Sequence, residues 1–225
     1  MDTKLTGKTR IESDLIGARE IPAEALYGVQ TLRGIENFSI SKFRLSEYPL
    51  FIKGLAITKM AAAMANFELG LLTVEQKDAI IAACGEIIDG KHHDQFPVDM
   101  IQGGAGTTTN MNANEVIANR ALELMGHERG EYQYCSPNDH VNCSQSTNDA
   151  YPTAIHIGMY FKHLQLLPHL EELIASFRKK GEEFSQIIKM GRTQLEDAVP
   201  MTLGQTFNGF ASILQDEIAH LNEAA

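Results

Sequence analysis

The 225-residue sequence predicts a mainly α-helical protein. Three observations carry this expectation. Apolar residues recur at three- and four-residue spacings over residues 50–69, 151–184 and 203–221. Helix start and stop signals bracket other stretches, as at Thr73 with Gln76 and at Gly70, Gly90 and Gly126. Between the periodic segments lie polar connections punctuated by Gly and Pro.

Residues 1–48 read as short elements and turns, marked by Gly7, Gly17, Pro22, Gly28 and Gly34, with Pro49 just behind them. Leu50, Phe51, Leu55, Ile57, Met60, Met64 and Phe67 then outline one broad face of a helix that Gly70 can end. Thr73-Val74-Glu75-Gln76 resembles a capping box and opens a second helix to about Asp89. His92-His93-Asp94 has metal-binding side chains, but no helix places a third ligand, so a polar turn is the expectation. Gly103-Gly104-Ala105-Gly106 leads into Thr107, Thr108, Thr109 and Asn110, then a helix over residues 113–125. Asn112 and Glu115 suit its cap and return partner. A phosphate loop is a weak alternative, because the Gly-Lys-Ser/Thr ending is missing.

Residues 127–143 form a polar connection with a turn at Pro137-Asn138-Asp139. Ser144-Gln145-Ser146-Thr147-Asn148-Asp149 follows, and a long helix is expected from Tyr151 to about Phe184. Pro152 would occupy its first turn, and Pro168 would kink it. His156, His163 and His169 on this helix read as surface or interface residues. Gly191-Arg192-Thr193-Gln194 begins another polar turn that ends at Pro200. Leu203, Phe207, Phe210, Leu214, Ile218 and Leu221 then form a packing stripe near coiled-coil spacing. That last helix reaches Ala225 without a Gly or Pro stop and reads as cut rather than capped.

The formal net charge of -10 and the lack of a basic patch argue against nonspecific nucleic-acid binding. Cys84, Cys135 and Cys143 are an odd set without zinc-ribbon spacing, and reduced thiols are expected. The polar start has no apolar signal region, and no run approaches the ~18 apolar residues of a membrane span. A cytoplasmic protein is the expectation.

Three segments rich in neutral hydrogen-bond donors stand at or near helix starts. They are Thr107 through Asn110, Ser146-Thr147-Asn148, and Thr193-Gln194. Free backbone N–H groups and the positive end of a helix dipole make such places suited to a small anion. Helix capping with spare polar residues explains each one separately. Convergence on one anion site explains all three together, and neutral donors can supply several bonds to each carboxylate oxygen. No Ser–His–Asp order points to covalent hydrolysis.

At these residues the chain resembles the aspartase/fumarase superfamily. The segments are Gly106-Thr107-Thr108-Thr109-Asn110-Met111-Asn112-Ala113-Asn114-Glu115, Ser144 to Asp149, and Gly191-Arg192-Thr193-Gln194. The resemblance runs from about Ile11 to the last residue. It is closest to the aspartate ammonia-lyase branch, through Ile35-Glu36-Asn37-Phe38-Ser39-Ile40-Ser41, Asp94-Gln95-Phe96-Pro97-Val98-Asp99 and the Ser-Thr-Asn-Asp-Ala-Tyr-Pro-Thr block. It implies a small N-terminal domain over residues 1–141 and, over 142–225, the first long helices of a central bundle that packs into homotetramers. It also implies reversible elimination of ammonia from L-aspartate to give fumarate and ammonium, with no organic cofactor and no metal. Thr107, Ser146 and Thr147 would bind the side-chain carboxylate. Asn148, Thr193 and Gln194 would surround the amino group and α-carboxylate.

Some positions depart from the family pattern. Thr108 stands where Ser is commoner. Gln194 stands where fumarases usually have His, and Ser136 replaces the His of the fumarase secondary anion site. The family's base, a Ser in a Gly-Ser-Ser loop, has no counterpart by Ala225, nor does the Lys that helps bind the α-carboxylate. An inactive fragment is therefore expected. The alternatives are a class II fumarase fragment and a non-catalytic helical assembly module.

Overall fold

A computed structural model describes residues 7–103 and 105–225. The polar start through residue 6, and Gly104 of the glycine run, lie outside the described residues. The chain divides into two compact units, Met1–Met159 and Tyr160–Ala225.

The first unit opens with an antiparallel hairpin of β1 (Thr9–Asp14) and β2 (Gly17–Pro22), in which Thr9 pairs with Pro22 and Asp14 with Gly17. The Asp14 carboxylate accepts from the turn N–H groups of Ile16 and Gly17 and holds Arg33 at 2.7 Å. Next come α1 (Val29–Asn37), α2 (Pro49–Glu68), α3 (Val74–Ile88) and α4 (Thr107–Leu124). The expected capping box opens α3: Gln76 N–H donates to Thr73 Oγ1, and Thr73 N–H donates to Gln76 Oε1. Gly90 ends that helix region in the left-handed conformation, at φ 90°.

The core of this unit lies where α2, α3 and α4 meet. It gathers Ile52, Leu55, Ala63, Ile80, Cys84, Ile87, Val116, Ile117 and Leu122. Each large aliphatic side chain removed from water there contributes about 1.5–3 kcal/mol. The buried face of α2 differs in part from the expected one. Its fully buried residues are Ile52, Gly54, Leu55, Ala56, Lys59, Ala63 and Asn66; of the expected face Leu55 is among them, Phe51, Met60 and Phe67 pack partly buried on the same core, and Met64 is 50% exposed. Close backbone approach decides the matter, because a side chain at Gly54 would collide with the Ala154 carbonyl. Small residues therefore face inward. By length and composition alone α2 passes as a membrane-crossing helix, unlike the sequence expectation, yet its inward face belongs to this core.

Two further boundaries move. Helix α4 begins at Thr107, six residues earlier than expected, so its Thr/Asn run is the first helical turn. Asn112 and Glu115 consequently are not its cap. Both are buried mid-helix, where Asn112 Nδ2 donates to the Gln95 carbonyl and Glu115 accepts from α1. Helix α5 (Thr147–Glu183) also begins early, which places Pro152 in its second turn.

One charged cluster ties α3 to α4. Arg120 donates to both oxygens of Glu86 at 2.6 and 2.8 Å, and His92 lies 2.7 Å from the same carboxylate. The Arg120 guanidinium, with His92 behind it, holds the Glu86 carboxyl down at about 2, against 4.5 ordinarily. A depressed folded-state value stabilises the fold above the unfolded value, and that stability is lost as pH falls from about 4.5 toward 2. Urea titrations at neutral and acid pH should show a smaller acid loss in Glu86→Gln than in the parent.

In the second unit the rest of α5 packs on α6 (Leu203–Ala224) around Ile174, Ala211 and Ile218, with Phe177 and Leu214 beside them. A side chain at Gly204 would collide with the Gly181 carbonyl, so the helices meet backbone to backbone. The expected polar turn over 191–200 is instead a hairpin of β3 (Ile188–Thr193) and β4 (Glu196–Thr202). Its two turn residues, Gln194 and Leu195, both take positive φ, 49° and 68°. Such a pair matches the right-handed twist of a two-residue hairpin, although neither residue is Gly.

Candidate functional site

In the first unit two helix N-termini come together. Gly106 precedes α4 at φ 86°, a conformation that favours glycine, and a Cβ there would also strike the Tyr151 ring of α5. The start of α4 therefore sits directly under the first turns of α5. Asn110 Nδ2 completes the link, donating to Thr147 Oγ1 at 3.2 Å and to Asn142 Oδ1 at 3.0 Å.

This arrangement brings Thr107, Ser146, Thr147 and Asn148 into one unit. Thr107 is the first residue of α4 and is exposed. Ser146 is exposed ahead of α5, and its hydroxyl accepts from Asn148 N–H at 3.3 Å, which is N-cap geometry. Thr147 is half-buried and Asn148 exposed. Thr193 and Gln194 lie in the second unit, at the end of β3 and in the hairpin turn, and both are exposed. Both units thus present neutral donors to solvent. In the first they stand at helix N-termini, where orphan N–H groups and the dipole favour negative charge.

The segment just before Ser146 is held from below. Ser144 adopts φ 56°, a conformation that costs a residue with a Cβ about 1 kcal/mol or more. Asn66 Nδ2 and Gln145 Nε2 both donate to the Cys143 carbonyl, at 2.8 and 3.2 Å. Gln145 Nε2 also donates to the Val141 carbonyl at 2.8 Å. Ser136, the position noted for its missing His, caps a π-helical turn over Pro137–Val141.

Lys59 was not anticipated. Its side chain is 0% exposed, and Nζ donates to Asn142 Oδ1 at 2.9 Å and Gln145 Oε1 at 3.0 Å. Burial pulls its pKa down from 10.5 to about 7. The available signal was spacing: residue 59 falls on the Ile52, Leu55, Ala56, Ala63 and Asn66 face. A lysine on the inward face of an apolar helix needs a buried partner. Cys84 and Cys135 are buried, and burial pushes both thiols up to about 12, so neither is a ready nucleophile. In the His/Asp turn at 92–94, His92 bonds the Glu86 carboxylate at 2.7 Å and His93 the Ile87 carbonyl at 2.8 Å, and among the described residues no group of three or more His, Cys, Asp or Glu is placed to hold an ion.

Comparison with known proteins agrees with this reading of the fold. A family model for lyases matches residues 17–225. The aspartate ammonia-lyase of Pseudomonas canavaninivorans is 59% identical over 216 residues, covering 96% of this chain and 46% of the relative. That of Escherichia coli strain K12 is 54% identical over 222 residues, covering 98% and 46%. Among solved structures, the fumarate lyase:delta crystallin of Brucella melitensis in native form has a TM-score of 0.90 at 54% identity, covering 96% of this chain and 50% of that one. Recombinant class II fumarase of Schistosoma mansoni has a TM-score of 0.85 at 39% identity, covering 94% and 44%. The chain spans about half the length of the curated relatives it matches. It belongs to the lyase family.

Proposed function

We propose that this chain is the N-terminal portion of an aspartate ammonia-lyase and supplies one wall of its dicarboxylate site. The observation that supports the proposal is the meeting of the α4 and α5 N-termini, where Asn110 bonds Thr147 and Gly106 lies against Tyr151; Thr107 opens one helix, and Ser146, Thr147 and Asn148 open the other. In this reading Thr107, Ser146 and Thr147 bind the side-chain carboxylate of L-aspartate. Asn148 takes the amino group and α-carboxylate together with Thr193 and Gln194 contributed by another copy of the chain. Residues 1–141 act as the N-terminal lyase domain and residues 142–225 as the start of the bundle.

Elimination removes a proton from Cβ and expels the protonated amino group as ammonia, which with one proton leaves as ammonium, giving fumarate. Removing the proton places a second negative charge on the side-chain carboxylate, as an aci-carboxylate dianion. Donors already aimed at those oxygens lower that barrier without reorganising. Exposed apolar residues on the second unit's helices, including Leu173, Phe210 and Ile213, fit assembly with further copies of the chain.

These 225 residues contain no Gly-Ser-Ser loop to supply the base. Purified chain given L-aspartate should therefore form no fumarate, or very little, by ultraviolet absorbance, and robust turnover would contradict that expectation. A chimera tests the substrate. With this chain in place of the matching segment of the E. coli relative, it should release fumarate from aspartate and leave malate untouched. Turnover of malate in preference to aspartate would move the assignment to the fumarase branch, which the Schistosoma similarity keeps as the second reading.

A further inference from the structure

We propose that Lys59 is a positioning residue for the anion-binding wall, and that its buried ammonium sets the backbone that presents Ser146, Thr147 and Asn148. Asn142 Oδ1 accepts from Lys59 Nζ, Asn110 Nδ2 and Asn114 Nδ2, at 2.9, 3.0 and 3.2 Å. Three donors from α2 and α4 thus converge on one oxygen. Asn142 in turn donates to the Gln145 carbonyl at 3.0 Å, and Lys59 grips the Gln145 side chain as well. The next residue in the chain is Ser146.

This convergence has a cost elsewhere. Asn110 Oδ1 and Asn114 Oδ1 are buried and have no hydrogen-bond partner among the described residues. Buried carbonyls left unpaired are rare in folded proteins. Stability alone would favour an apolar residue at position 59, since a buried lysine is expensive even when bonded. Among the described residues its ammonium has no carboxylate partner, only amide oxygens. The positive charge is therefore not neutralised locally, and it lies beneath a wall read here as binding a dianion. Only that last point rests on the proposed substrate; the positioning role does not.

The titratable groups that act on Lys59 are few. Cys84 on α3 faces it, and Cys135 stands by Cys84; both thiols are neutral near pH 7 because burial pushes them up to about 12. The ammonium itself therefore titrates near neutral pH, and a charge-assisted bond weakens when the charge leaves.

Hydrogen exchange read by mass spectrometry on the 225-residue chain tests this. In Lys59→Met, protection over residues 141–148 should fall by about tenfold or more, the scale of a lost bond to a charged group, while α3 keeps its protection. Asn142→Ala removes the acceptor in place of the ammonium and should loosen the same residues, which keeps the test decisive if Lys59→Met fails to fold. In the parent, protection of 141–148, corrected for intrinsic exchange, should decline between about pH 6 and about pH 8.5 around the Lys59 value of about 7, and Lys59→Met should show no such decline. Unchanged protection in both variants, equal loss across α3 and α4, or a parent segment indifferent to pH would overturn the proposal. None of these readouts requires fumarate to bind, so failure of the substrate assignment would be seen separately.

Discussion

Replacing Glu115 with alanine is expected to destabilise the first unit by about 3–5 kcal/mol, a large share of the stability of an ordinary domain. The reason is the start of α1. A helix N-terminus leaves four N–H groups without intrahelical partners. Here the Glu115 carboxylate, from α4, accepts three: Gly28 N and Gln30 N at 2.8 Å, and Thr31 N at 3.0 Å. Glu12 accepts the fourth, Val29 N, at 3.0 Å and is itself held by Arg10 and Tyr132. Burial raises the Glu115 carboxyl above its usual range while the N–H donors pull it back down. Alanine would leave three donors unpaired, two of them fully buried. Glu115→Gln should be milder but still costly, since it replaces an acceptor oxygen with an NH₂ that opposes the same N–H groups. The urea midpoint reads both effects, and a change below about 1 kcal/mol for Glu115→Ala would refute the account of how α1 is anchored.

That anchoring bears on the site. A side chain at Gly34 of α1 would collide with the Thr108 methyl on α4, so the two helices touch one residue beyond Thr107. Loosening α1 frees the α4 N-terminus, and some loss of ligand binding should accompany the loss of stability.

The second large effect concerns Ser146, whose hydroxyl caps α5 and, under the proposed function, also donates to the substrate. Loss of one preorganised oxyanion donor costs about 10²–10³ in kcat, or about 2.7–4 kcal/mol. Loss of a cap costs about 1 kcal/mol of stability. In the chimera with the E. coli relative, Ser146→Ala should lower kcat/KM by about a hundredfold or more. Ser146→Asp separates the two roles. Aspartate caps a helix as well as serine does, so the fold should hold, but its charge repels a dicarboxylate. Stability retained with activity lost is the expected pair of results. Activity retained in Ser146→Asp would reduce the segment to a cap.

The sequence made much of this legible. The helices α2, α3, α5 and α6 follow from their spacing and stop signals, and the Thr73 capping box is formed as read. Boundaries failed where polar residues are helical for tertiary reasons. Thr107 to Asn110 look like a loop, but Asn110 is buried and spends its amide on Asn142 and Thr147. Glu115 has the right offset for a capping box, yet its partners are some 85 residues away in sequence, beyond the reach of any local rule. The β3–β4 hairpin was missed because its turn, Gln194-Leu195, lacks the Asn-Gly or Asp-Gly signature. The large apolar residues of α2 mark only part of its inward face: Leu55, Phe51, Met60 and Phe67 pack on the core, but Gly54, Ala56 and Ala63, which allow close approach, lie at its centre. Lys59 went unread for the same reason. Of the candidate site, the donor residues were visible as motifs, whereas the amide network beneath them depends on contacts between distant segments.

Under the proposed function the paired N-termini of α4 and α5 bind a dicarboxylate. Titration of the 225-residue chain with fumarate, followed by amide resonances in ¹H–¹⁵N spectra, tests it most directly. Saturable shifts are expected at Thr107, Ser146, Thr147 and Asn148, weaker with acetate and absent in a folded Ser146→Asp variant. Shifts spread evenly over the surface, or identical with acetate and with Ser146→Asp, would contradict it.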